Sequence, residues 1–83
     1  MNREVALGML RVGNTGNEIL QILDVIAADI ESEKTINEIA EILFWLLHSG
    51  EAVLDSLPDM CYSIRVSYGS VFVPLIDAAR RAW

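Results

Sequence analysis

Thiol and imidazole are scarce in this chain of 83 residues, which holds one cysteine, Cys61, and one histidine, His48. A single thiol excludes an intramolecular disulfide, so the fold does not depend on oxidation and a cytoplasmic setting is the default expectation. The ligands of a structural zinc site are missing. A Cys–His nucleophilic pair would need His48 and Cys61, thirteen residues apart, to converge, and nothing in their spacing demands it. The chain therefore reads as non-enzymatic, with no catalytic residue, metal or cofactor.

Long apolar runs are missing too. The longest, Ile42 to Leu47, falls far short of the roughly 20 residues that span a bilayer, and no basic stretch precedes an apolar one at the N-terminus as in a signal peptide. Positive charge is sparse: six Lys and Arg stand against twelve Asp and Glu, for a net charge of −6. Between Thr15 and Asp59 ten carboxylates face only Lys34, whereas five arginines lie in the two flanks with Glu4 and Asp77. An acidic waist with basic ends argues against a nucleic-acid partner, because neutralising phosphates takes a basic patch. It suits a basic protein, head-to-tail contacts between copies, or a solvated face that keeps an apolar protein dissolved.

What the chain does have is apolar residues, at 53% of the sequence, with a mean hydropathy of +0.38. Residues 1–83 make a single domain, and a chain this short buries only about 60 to 65% of its unfolded surface. Association offers a way to cover the surplus, at about 25 cal/mol for each Å² of apolar area removed from water.

The central stretch, Thr35 to Leu57, has the 3.6-residue period of an amphipathic helix, with Ile36, Ile39, Ala40, Leu43, Leu46, Leu47, Val53, Leu54 and Leu57 on one face. Thr35 and Glu38 form a capping-box pattern at its start, and Pro58 stops it. Opposite the core stripe lie Ile42, Trp45, Ser49, Ala52 and Ser56, a large aromatic at one end of a ridge of small side chains. A helix of this kind is covered on two sides, as the central member of a bundle or as part of a subunit interface.

Either side of it the pattern is also helical. Asn2 caps a first helix through Val12, with Gly13 as its stop, and Thr15 with Glu18 opens a second helix running to about Glu31 on a stripe of Ile19, Ile22, Leu23, Ile26 and Ile30. The short connection Ser32 to Thr35 makes the second and third helices antiparallel neighbours. Residues 60–83 admit two readings. As helix, Met60, Ile64, Tyr68, Val71, Leu75 and Ala79 share a face opposite Ser63, Ser67, Ser70, Pro74 and Asp77; as a hairpin, Tyr62, Ile64, Val66 and Tyr68 alternate before a turn at Gly69-Ser70. The clean segregation favours helix, bent or broken between Gly69 and Pro74. The fold expected is an all-α bundle of three to four helices around the long one over 35–57.

Two motifs invite a sharper reading and fall short of it. Gly13-Asn14-Thr15-Gly16 precedes a helix, as phosphate cradles do, but lacks the lysine and glycine spacing of a Walker loop and reads as a helix–helix corner. Thr35-Ile-Asn-Glu-Ile-Ala resembles the opening of many helix-turn-helix units. The resemblance covers six residues: no turn interrupts Leu43 to Leu47, and the would-be recognition segment, His48 to Leu57, has two acids and no Lys or Arg.

The expected function is that of an interaction protein which self-associates as a homo-oligomer, with Ile42, Trp45, Ser49, Ala52 and Ser56 as contact surface and Tyr68, Phe72 and Trp83 as further exposed anchors. The alternative is an acidic modulator of one larger protein, in the manner of a small virus-encoded inhibitor or a subunit. A third class, an apolar ligand held between helices by Met9, Phe44 or Met60, competes with those residues simply being core.

Overall fold

The computed structural model describes residues 2–83, which form five helices and no strand. They are α1 (Arg3–Gly8), α2 (Gly16–Ile26), α3 (Glu33–Ser49), α4 (Ala52–Ser56) and α5 (Pro58–Arg81). The expected all-α bundle is what the chain forms, and its last quarter is helix, the favoured of the two readings.

Local chemistry sets the starts of the first three helices. The Asn2 side chain accepts the Val5 amide at 2.8 Å and caps α1. At α2 both halves of the capping box are made: Thr15 Oγ1 accepts the Glu18 N–H at 3.2 Å, and Glu18 Oε1 accepts the Thr15 N–H at 3.0 Å. Helix α3 starts three residues earlier than its Thr35–Glu38 pattern predicts, with Ser32 and not Thr35 as the cap: the Ser32 hydroxyl takes the Thr35 amide and Glu33 suits the positive end of the helix dipole.

The stops differ more from the sequence reading. Helix α1 ends at Gly8, not Val12, and α2 at Ile26, not Glu31, yet Leu10 and Ile30 are still buried by the turns that follow. The largest correction concerns the long helix over 35–57. Gly50, with φ +79° and ψ −171°, breaks it into α3 and α4, a backbone conformation open almost only to glycine. Pro58 then closes α4 and opens α5 as a first-turn proline.

Helix α3 is the central member. Helices α2 and α5 both pack against it, and α1 lies against α2 and α5. One continuous core results, built from Ile19, Leu23 and Ile26 of α2, Ile39, Leu43, Leu46 and Leu47 of α3, and Val71, Phe72, Leu75 and Ala79 of α5. The accessible surface is 4968 Å², against about 4,900 Å² for a solitary folded chain of this mass.

Helix α5 is not straight. The bend sits at Tyr68, whose φ −133° and ψ 27° are not helical, one residue before the Gly69–Pro74 stretch in which the sequence places it. Pro74 lies inside the second half, where its ring removes the bond to the carbonyl of Ser70, an exposed residue that water can reach.

Candidate interaction surface

The face of α3 that the bundle leaves open carries Lys34, Asn37, Glu41, Trp45 and His48, all exposed. Trp45 is 47% exposed and meets Phe44 edge-on, with ring centroids 5.6 Å apart. Phe44 in turn stacks on His48 at 4.4 Å, and the His48 Nε2–H donates to the backbone carbonyl of Asn14 at 3.1 Å. A carbonyl only accepts, so this bond puts the proton on Nε2. Asn14 is the residue that sequence reasoning missed: 1% exposed, it accepts the Arg11 amide through Oδ1 at 2.7 Å and fixes the corner between α1 and α2. Its signal is an Asn beside a glycine and directly before a capping box.

The predicted contact residues are divided by the fold. Ile42 (0% exposed) and Phe72 (1%) are core side chains, not surface anchors. Ile42 follows Ile39 by three residues and precedes Leu46 by four, so it lies at the edge of the core stripe and is covered within the same chain, where α2, α4 and α5 all pack on α3. Trp45, Ser49, Ala52 and Ser56 are exposed, but Gly50 interrupts their ridge, leaving the first two on α3 and the last two on α4. Tyr68 is half-buried at the elbow of α5 and packs against the core. Trp83 is 50% exposed, and its indole Nε1–H donates to the carbonyl of Leu46 at 3.2 Å. Both indoles thus flank the C-terminal end of α3.

The basic ends also find partners at home. Arg80 Nη2 reaches Glu51 Oε1 at 2.7 Å, Arg11 reaches Glu18 at 3.3 Å and Arg3 reaches Asp29 at 3.7 Å, so three of the arginines pair with the acidic waist of their own chain. These pairs are exposed and contribute little to stability, but they show how both chain ends fold back along the waist.

Cys61 and His48 have different surroundings. Cys61 is buried beside a groove of about 270 Å³ between α4 and α5, with Leu54, Arg65, Phe72 and Ile76 in its walls. Burial pushes its thiol up from the ordinary value, and the Arg65 charge pulls weakly the other way. Met9, Phe44 and Met60 stand in three separate places: Met9 lines a second groove of about 330 Å³ with Arg11 and Glu18, Phe44 lies under His48, and Met60 is on an open side of α5. Among the described residues no group of three or more His, Cys, Asp or Glu side chains gathers at metal-binding distance, and no helix is long and apolar enough to cross a membrane.

Fold and surface define a small all-α bundle with two half-exposed tryptophans at one end of its central helix. No protein-family model, no curated protein and no solved structure matches the chain.

Proposed function

We propose that this is a non-enzymatic interaction protein that associates with copies of itself through the corner where α3 meets α4. The surface comprises Trp45 and Ser49 on α3, Ala52 and Ser56 on α4, and the Trp83 indole beside them at Leu46. The observation that carries this reading is the pair of indoles, the two largest side chains of the sequence, each left about half exposed toward the end of α3. Covering the open half of one indole removes on the order of 100 Å² from water, roughly 2 to 3 kcal/mol before the costs of association. Small side chains next to Trp45 let a second helix come close. The free, buried Cys61 fits a reducing compartment such as the cytoplasm.

Light scattering at micromolar concentration tests it. The wild type is expected to run as a defined oligomer and Trp45→Asp as a smaller species; equal masses for the two would remove this surface.

One observation favours a second reading, in which the protein is an acidic modulator of a single larger partner. Its accessible surface equals that of a solitary chain of its mass, so a copy needs no second copy to close its core. A monomeric wild type at all accessible concentrations supports this reading over the first.

A further inference from the structure

We propose that two copies of this chain exchange the second halves of α5. This rests on the self-association put forward above but assigns it a different contact: not the α3–α4 corner, but the interface that residues 69–81 already make with the core.

The starting point is the elbow. Tyr68 is the one non-helical residue inside a 24-residue helix, with φ −133° and ψ 27°. Turning it by about 70° in each angle brings it to ordinary helical values and makes α5 one rod. No loop residue intervenes, so the hinge has no slack. The bend is what folds the second half back, so straightening it carries that half away from its own core.

That half cannot stay in water. Val71, Phe72, Leu75, Ile76, Ala78 and Ala79 are all buried in the closed chain. The surface they fit exists in every copy, since α3 with its Leu46 carbonyl and Glu51 beyond it is left vacant when the helix swings out. A second copy in the same state fills the vacancy with identical contacts, Trp83 on Leu46 and Arg80 on Glu51 included, and no newly matched surface is required. Short hinges favour such exchange because the same contacts close the core within one chain or between two, and a hinge without slack shifts the balance toward the extended arrangement.

The test uses the full chain with Cys61→Ser, Glu51→Cys and Arg80→Cys, the last two being side chains that meet in the closed form. A short bismaleimide links them within one chain when closed and between chains when exchanged. We expect covalent dimers on a denaturing gel, rising with protein concentration, together with a dimer mass in light scattering. A four-residue Gly-Ser insertion after Tyr68 gives the hinge slack and is expected to lower the dimer fraction about tenfold while leaving helical content unchanged. Isotope-filtered NMR on mixed labelled wild-type chains, reading contacts between the Trp83 indole and Leu46 of another copy, checks the result without substitutions. A dimer whose links and contacts stay within each chain overturns the exchange and leaves association through the corner standing. A monomer at every concentration overturns both.

Discussion

The indole of Trp83 and the N–H of Gly50 converge on one acceptor. Leu46 O takes the Gly50 amide at 3.0 Å and the Trp83 Nε1–H at 3.2 Å, so the end of α5 completes the end of α3 across 37 residues of sequence. Carbonyls in the last turn of a helix are otherwise left to water, and this one is doubly used.

Replacing Trp83 with Phe keeps most of the apolar contact and removes the donor. Urea unfolding followed by circular dichroism is expected to show a loss of about 1 kcal/mol, the usual net worth of one such bond. A loss near zero would mean that the indole is held by packing alone.

Gly50 decides where α3 stops. Alanine there meets no neighbouring atom, so any cost comes from the backbone, whose φ of +79° excludes most side chains. Gly50→Ala is expected to destabilise the fold by about 1 to 3 kcal/mol in chemical denaturation. If the loss is absent and helical content rises, the chain has instead joined α3 to α4, and the Arg80–Glu51 pair is the contact to examine by NMR.

Asn14 is the buried polar side chain of the corner between α1 and α2. Asn14→Leu keeps the bulk but leaves the Arg11 amide without its 2.7 Å acceptor. The expected cost is about 1 to 3 kcal/mol, the desolvation penalty of an orphaned donor. Proton exchange at the Arg11 amide should quicken in the same variant; an unchanged rate would show that another group had replaced Oδ1.

Acid tests the capping box of α2. The Thr15 N–H donates to the Glu18 carboxylate and, with the Thr15 hydroxyl and the Arg11 charge, holds its pKa below the ordinary value of 4.5. A carboxyl depressed on folding contributes stability in full above its unfolded-state pKa, and that contribution disappears as pH falls through the lower folded value. Glu18→Gln should therefore flatten the fall in stability below about pH 4.5. Parallel pH profiles for the two proteins in urea titrations would refute the linkage.

Sequence alone determined the parts of this fold that depend on near neighbours. The Thr15–Glu18 cap joins residues three apart, and the stripes of Ile19, Ile22 and Leu23 in α2 and of Ile39, Leu43 and Leu47 in α3 follow the pitch of one helix, so each is a property of a single segment. Tertiary structure decided the rest. Ile42 and Trp45 look alike as apolar residues outside the first stripe, yet one is sealed and the other open, because the neighbouring helices pack over one side of α3 and not the other. The break at Gly50 was equally illegible, since a glycine fits within a helix or after its end, and long-range contacts from the end of the chain, Arg80 of α5 on Glu51 and Trp83 just after α5 on Leu46, hold the corner that follows it. Cover for a second face comes from residues distant in the chain, and periodicity within one segment carries no information about when they arrive.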